Sequence, residues 1–216
     1  MLEKMAEFFD NRIDGYEEHM LTCIESAEEF YPFTAQCLPM APGAMVLDLG
    51  CGTGLELEYY FQMNPTAKVT GIDLALGMLH ALKEKFPEKE LDLIQDSYFD
   101  VELGQEVYDA VVSVESLHHF TGEEKLPLYV KVLEALKPGG TFVLTDYFSL
   151  SDEEEELHRQ ELLRLKREQG IEDHAFYHYD TPLTVEHETE VLQKAGFSKV
   201  EILKCWGATY CIQGVK

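Results

Sequence analysis

The chain predicts an α/β fold built on a doubly wound parallel sheet, and three observations carry that expectation. Short apolar runs such as Val46-Leu47-Asp48-Leu49 and Ala110-Val111-Val112-Ser113-Val114 alternate with longer amphipathic stretches, the pattern of strands and crossover helices. A turn with glycines on alternate positions, Gly50-Cys51-Gly52-Thr53-Gly54, follows the first run directly, where a buried strand would pass into a helix. Two last runs, Lys199 to Cys205 and Thr209 to Val215, flank Trp206-Gly207-Ala208. They read as a hairpin, so the sheet is expected to end in an antiparallel edge.

Taken in order, residues 2 to about 40 carry helical periodicity with Met5, Phe8, Phe9, Ile13, Met20, Leu21 and Ile24 among acids. The helix is interrupted at Asp14-Gly15-Tyr16 and closed by prolines at 32, 39 and 42, which cannot continue it. This segment precedes the first strand and reads as a helical cap. From Val46 the expected elements alternate: strand 46–49, helix 55–61, strand 68–72, helix 76–86, strand 91–94, strand 108–114, helix 125–136 and, after the turn Pro138-Gly139-Gly140, strand 141–147. Ser149 to Gln169 is a charged helix opening with Ser151-Asp152-Glu153-Glu154, a good N-cap followed by acids that suit the positive helix end. Helix 185–195 and the hairpin complete the chain. The whole reads as one domain over 1–216, with a cap at 1–43, a core at 44–148, a lid insertion at 149–183 and a C-terminal helix and hairpin at 184–216.

Composition narrows the function. With 17 Lys and Arg against 41 Asp and Glu, the formal net charge is −24, which disfavours nucleic acid as a partner because phosphodiester binding relies on clustered cations. No run of about 18 apolar residues occurs, so no membrane span is expected, and the N-terminal segment has no signal core. Five scattered cysteines without a C-x-x-C pair suit free thiols in a reducing compartment. The expected location is the cytoplasm.

The glycine turn separates two cofactor classes. A dinucleotide fingerprint is G-x-G-x-x-G with a pyrophosphate on the helix N-terminus. Here Gly54 is followed by Leu55, Glu56, Leu57 and Glu58, and glutamates in the first helical turns would oppose a pyrophosphate. They do not oppose S-adenosylmethionine (SAM), which carries a sulfonium and an ammonium and no phosphate. Asp48 at the end of the strand can help hold that ammonium. Asp73 ends the second strand, the position from which an acid accepts hydrogen bonds from ribose hydroxyls, and Asp96-Ser97 follows the third, within reach of an adenine amino group.

Val46 to Gly54, Gly71-Ile72-Asp73, Tyr108-Asp109-Ala110-Val111-Val112 and Leu136-Lys137-Pro138-Gly139-Gly140 together resemble the successive motifs of class I SAM-dependent methyltransferases. The resemblance covers about residues 44 to 148, and Gly196-Phe197 with the terminal hairpin fits it as well. It implies a Rossmann-like, seven-stranded sheet whose last strand is antiparallel, SAM across the strand ends, and cofactor contacts from Asp48, Gly50, Cys51, Gly52, Gly54, Asp73, Leu74, Met78, Asp96, Ser97 and Glu115. More loosely, Gly15-Tyr16 and Thr184 to Phe197 look like the branch that holds the wobble-uridine tRNA methyltransferase and carboxy-SAM synthase relatives. No counterpart of the carboxylate-pairing arginine of those synthases is found, so SAM is the expected cofactor.

Methyl transfer needs alignment of the nucleophile with the S–CH₃ bond and exclusion of water more than it needs particular side chains. The candidate catalytic residues are His118, in Glu115-Ser116-Leu117-His118-His119-Phe120 after the fourth strand, and Tyr16 beside Gly15. His119 is expected to shape the loop or pack the helix start. His174, Tyr177 and His178, within the aromatic and imidazole-rich segment 173–180, are expected to form a lid over the substrate. No metal is assigned, although His174 and His178 would share a helical face and could bind one with His187. The expected partner is a small-molecule methyl acceptor taken at O or N, with a homodimer left open. A tRNA acceptor and a non-catalytic SAM- or metal-binding regulator are the alternatives.

Overall fold

The computed structural model describes residues 1–171 and 175–216. Among them the strands β1 (Met45–Leu49), β2 (Lys68–Asp73), β3 (Leu91–Gln95), β4 (Tyr108–Val114), β5 (Leu136–Tyr147), β6 (Lys199–Trp206) and β7 (Thr209–Val215) form one sheet in the order β3-β2-β1-β4-β5-β7-β6. β1 to β5 are mutually parallel, and β7 is antiparallel to both β5 and β6. The central strands are apolar on both sides because helices cover both faces. On one face Val46, Val69, Val112 and Cys211 pack against α3 (Ala27–Gln36), α4 (Leu55–Met63) and α5 (Leu76–Lys85). On the other, Leu47, Val111, Phe142 and Ile212 pack against α6 (Gly122–Ala135) and α8 (Val185–Ala195).

This topology fixes where a ligand can bind. Strand order reverses between β1 and β4, so their carboxyl ends diverge into the crevice that open α/β sheets use for ligands. The glycine turn, Asp73 and Glu115 all stand at that crevice.

The hairpin is present and ends the sheet in an antiparallel pair, as expected. The antiparallel strand β7 lies inside, and β6 is the outermost strand. Sequence polarity explains the choice: Cys211 and Ile212 of β7 are fully buried, whereas β6 carries Lys199, Glu201 and Lys204, charges that blunt an exposed sheet edge.

Three other boundaries move. The α6 helix starts at Gly122 and not at Lys125, because Thr121 and Glu124 form a reciprocal capping box. β5 begins at Leu136, and Pro138-Gly139-Gly140 lies within it as a bulge, since Tyr108 pairs with Leu136 but Ala110 with Thr141. Pro32 does not close the N-terminal helical region. It lies inside α3, whose Phe30, Tyr31, Thr34 and Ala35 are all buried, so packing outweighs the lost backbone hydrogen bond. The cap is completed by α1 (Met5–Asp10) and α2 (Tyr16–Cys23), parted as expected near Gly15, which has φ +83°.

Helix α7 (Asp152–Glu168) begins at the Ser151 cap, and none of its residues is buried. Beyond the undescribed residues 172–174, which include Asp173 and His174, the chain runs to Thr184 without a helix. It is held by bridges from Tyr177 to Lys4 and from Thr184 to Ser149. Among the described residues, no helix is long and apolar enough to cross a membrane.

Candidate active site

The glycine turn is locked by the side chain that ends β2. Asp73 Oδ2 accepts the Gly52 N–H at 2.9 Å and Oδ1 accepts the Ala75 N–H at 2.8 Å. Burial pushes this carboxyl up to about 6, with the backbone donors opposing the shift. Two glycines of the turn have different reasons to be glycine. A Cβ on Gly50 would stand 2.1 Å from Ser116 Oγ, whereas one on Gly52, at φ +48°, would meet only the Tyr16 hydroxyl at 3.8 Å. The backbone at Gly52 therefore borders open space beneath Tyr16, a cradle of the kind a ligand backbone contact needs.

Behind the turn lies a carboxyl pair. Asp48 and Glu56 are almost fully buried and hydrogen-bond each other, and burial together with Glu56 raises Asp48 well above the usual carboxylate range. Burial raises Glu56 as well, opposed by its bond to Asp48. Apart from that shared bond, Asp48 Oδ2 and Glu56 Oε1 have no hydrogen-bond partner. Orphaned buried carboxyl oxygens suit a cationic group and repel a phosphate. This donor set and the Gly52 cradle fit SAM, whose ammonium Asp48 and Glu56 would face and whose ribose Asp73 would hold.

The cleft itself is lined by Gly50, Gly52, Asp73, Leu74, Met78, Tyr98 and Glu115, and roofed by Met5, Phe9 and Tyr16 from the cap. Gly54 packs inward, where a Cβ would meet Leu82 at 2.4 Å, and Cys51 is buried against Gly71. Asp96 and Ser97 are not among the lining residues. Asp96 Oδ1 accepts the Ser97 N–H at 2.7 Å, and Ser97 Oγ accepts that of Phe99 at 3.1 Å, so both cap the turn after β3. Tyr98 stands at the cleft in their place, its hydroxyl 3.3 Å from Ser116 Oγ.

A larger cavity of about 660 Å³ adjoins the cleft, and Tyr16, Glu115 and His119 line both. Glu115 leaves β4 at φ +49°, a left-handed conformation that costs a non-glycine residue of the order of 1 kcal/mol or more and is found at functional sites. Burial and the neighbouring Asp146 push its carboxyl up to about 8.

The floor of the cavity is a chain of imidazoles and carboxylates. Asp146, at the end of β5, accepts the backbone N–H groups of Leu117 and His118 at 2.9 and 3.0 Å and stands 2.6 Å from His118 Nδ1. The His118 Nε2 lies 3.7 Å from Asp180 Oδ1, which also lies 3.0 Å from His119 Nδ1. Burial works against charge on both rings. Asp146, Asp180 and Glu115 outweigh it at His118, which is raised to about 9. At His119 burial and the neighbouring His118 prevail and lower it to about 4. Asp180 is itself held far below the usual carboxylate range, because His119 and His118 overcome its burial.

The other sequence candidates separate. His178 lines the cavity and stacks on Phe8 at 3.5 Å between ring centroids. Tyr177 does not line it. Its ring lies 5.9 Å from Lys166 Nζ. His187 stands elsewhere, 2.9 Å from Glu155 Oε2 across α7 and α8, and is not brought together with His178. His174 lies outside the described residues. The reading from sequence missed Asp146 and Tyr147. Their signal was an acid and a phenol at the carboxyl end of a parallel strand beside β4, the edge that borders the crevice.

A sheet of this order, with an antiparallel strand inserted before the edge and a glycine turn at the switch point, is the fold of class I SAM-dependent methyltransferases. Residues 46–140 match the family described as a methyltransferase domain. An uncharacterized methyltransferase of Geobacillus sp. (strain WCH70) is 27% identical over 146 residues, 68% of this chain and 65% of that protein. A phosphoethanolamine N-methyltransferase of Triticum aestivum is 29% identical over 184 residues, 82% of this chain and 32% of its own length. Human N-acetylserotonin methyltransferase, solved in complex with SAM, has a TM-score of 0.63 at 18% identity, covering 88% of this chain and 52% of that one. The chain spans 65, 42 and 54% of the lengths of three curated relatives it matches. The chain thus shares the methyltransferase fold, and over residues 46–140 it is similar to methyltransferase domains.

Proposed function

We propose that the chain transfers a methyl group from SAM to an O or N atom of a small molecule seated in the 660 Å³ cavity. The observation that carries this reading is the shared wall of the two spaces: Tyr16, Glu115 and His119 border both. SAM supplies an activated methyl group. The chain's own residues hold that cofactor through Asp73, Gly52 and the Asp48–Glu56 pair, and they orient the acceptor through the imidazoles, Asp180 and Tyr147. Met5 and Phe9 exclude water from above. The open volume under them is about 50 Å³, small against the 300–1,000 Å³ of typical ligand sites, so α1 lifts to admit SAM and closes over it.

Small-molecule acceptors are supported by relatives whose names specify them, an erythromycin 3''-O-methyltransferase of Saccharopolyspora erythraea and the phosphoethanolamine enzyme. Among the described residues, Arg12 is the one Lys or Arg that lines the cavity, which gives a polynucleotide backbone little to bind. A cytoplasmic setting belongs to the same proposal and is supported by five free thiols. The test is incubation with methyl-labelled SAM and separate pools of small phenols, amines and acids, and of bulk tRNA. Label in a small-molecule pool with release of S-adenosylhomocysteine is expected. Label in tRNA alone, or SAM binding without turnover on any pool, would overturn the proposal.

A further inference from the structure

We propose that His118, His119 and Asp180 form a binding site for a divalent transition-metal ion of the zinc type in the floor of the acceptor cavity. His118 Nε2, His119 Nδ1 and Asp180 Oδ1 all lie within 4.8 Å of one another, with two of the separations at 3.7 and 3.0 Å. Tetrahedral zinc with ligand bonds of about 2.0–2.1 Å spaces its ligand atoms by roughly 3.3 Å, so small side-chain adjustments bring all three into the first coordination sphere.

Two further observations separate this cluster from a plain set of ion pairs. The remaining ring nitrogen of His118 is 2.6 Å from Asp146 Oδ1, and Asp146 is itself fixed by backbone N–H groups of Leu117, His118 and Tyr147. A carboxylate behind a histidine in this way fixes the tautomer and turns the other nitrogen's lone pair outward, the usual outer-sphere support of a metal-binding imidazole. In addition, Asp180 Oδ1 points between two imidazoles, 3.0 Å from His119 Nδ1 and 3.7 Å from His118 Nε2. The backbone holds it there, since Thr181 N–H donates to His118 O at 2.8 Å.

Three protein ligands leave a fourth position open toward the cavity, the arrangement of catalytic and not structural zinc. An ion there would take an acceptor with a metal-binding oxygen, such as an enol, phenol or hydroxy acid. It would lower the pKa of that hydroxyl and release its proton to solvent. This role for the ion rests on the proposed methyl transfer, whereas the site itself does not.

The test is calorimetric titration of chelator-treated full-length protein with zinc chloride, with visible absorption on titration with cobalt chloride as a second readout. One equivalent of tight binding and intense tetrahedral cobalt bands are expected. Asp180→Ala and His119→Ala should each weaken binding at least tenfold, and Asp146→Asn should weaken it 10–100-fold. Circular dichroism and SAM affinity, measured on the same samples, separate loss of the site from misfolding and from failure of the cofactor assignment. Absence of stoichiometric binding by folded wild-type protein, or binding that Asp180→Ala and His119→Ala leave unchanged, would overturn the proposal.

Discussion

Asp73 grips Gly52 and Ala75 at once, accepting the two backbone N–H groups at 2.9 and 2.8 Å with its two oxygens. One side chain thus holds the ligand turn after β1 against the start of α5. Each carboxylate oxygen keeps a second lone pair for a ribose hydroxyl. Asp73→Ala is expected to weaken SAM binding by roughly tenfold or more, the scale of losing charge-assisted hydrogen bonds. Calorimetry with unchanged affinity would show that the ribose lies elsewhere.

The glycines of the turn should respond differently to the same substitution. Gly52→Ala adds a methyl group in open space, at a backbone strain of about 1–2 kcal/mol. It should leave a folded protein with markedly weaker SAM binding. Gly50→Ala adds the same strain and also drives a Cβ to 2.1 Å from Ser116 Oγ, a further roughly 1–3 kcal/mol of overpacking. Thermal unfolding with and without SAM distinguishes them. Equal loss of stability in both variants would contradict the assignment of Gly52 to the ligand.

The Asp48–Glu56 pair makes stability pH-dependent. Both carboxyls are raised above their ordinary values on folding, so the folded state holds protons that the unfolded state releases. Their contribution is complete below the unfolded carboxylate range near 4 and is lost as pH rises through the folded values. Glu56→Gln removes one ionisation and keeps a hydrogen-bonding group. Its Tm should exceed that of the wild type at pH 8 by roughly 2–4 °C, the shift that 1 kcal/mol makes in a chain of this length, with no gain at pH 4. A gain that is the same at both pH values would refute the shared-proton account.

A second buried charge pair joins α6 to α8. Lys125 Nζ lies 2.5 Å from Glu188 Oε2, both side chains are almost fully buried, and the Tyr129 hydroxyl donates to Glu188. Glu188→Ala leaves the ammonium uncompensated and should cost about 3–5 kcal/mol. The double variant Lys125→Met with Glu188→Leu should recover most of that loss, since apolar replacements of such pairs are often neutral. Urea unfolding of the two variants is the check, and a double variant no better than the single would point to some other cause.

Closure of the cap predicts a change in hydrogen exchange. Amides of α1 should become better protected when SAM is added, because Met5 and Phe9 roof its cleft. Protection in α6 and α8, remote from the cleft, should change little. If α1 exchanges identically with and without SAM, the cap does not gate the site.

Much of the fold was legible in the chain because local chemistry decided it. Gly54 and Pro42-Gly43 punctuate the segments, β4 and α8 fall at the residues expected, and Ser151 caps α7. The edge order was less legible. A hairpin reads the same from either side, and only packing against Phe197, which lies 2.7 Å from a Cβ built on Gly214, and against β5 shows that β7 goes inside.

The site divides along the same line. The glycine turn, Asp48, Asp73 and Glu115 fall at strand ends, and strand ends can be read from apolar runs. The adenine-side assignment to Asp96 and Ser97 depended on which way a turn faces, and there Tyr98 takes the cleft. The helical spacing of His174 and His178 gave no guide, since residues 175–184 form no helix.

The sequence by itself determined the sheet class, the cofactor turn and the acids around it, because these follow from periodicity and from residues near one another in the chain. The tertiary structure decided the larger cavity beside the cleft. His118, Asp146 and Asp180 are 28 and 34 residues apart in successive steps along the chain and meet only because β4 pairs with β5 and the segment after α7 returns over their ends. Such a meeting is set by strand order and loop path, which no local pattern of side chains encodes.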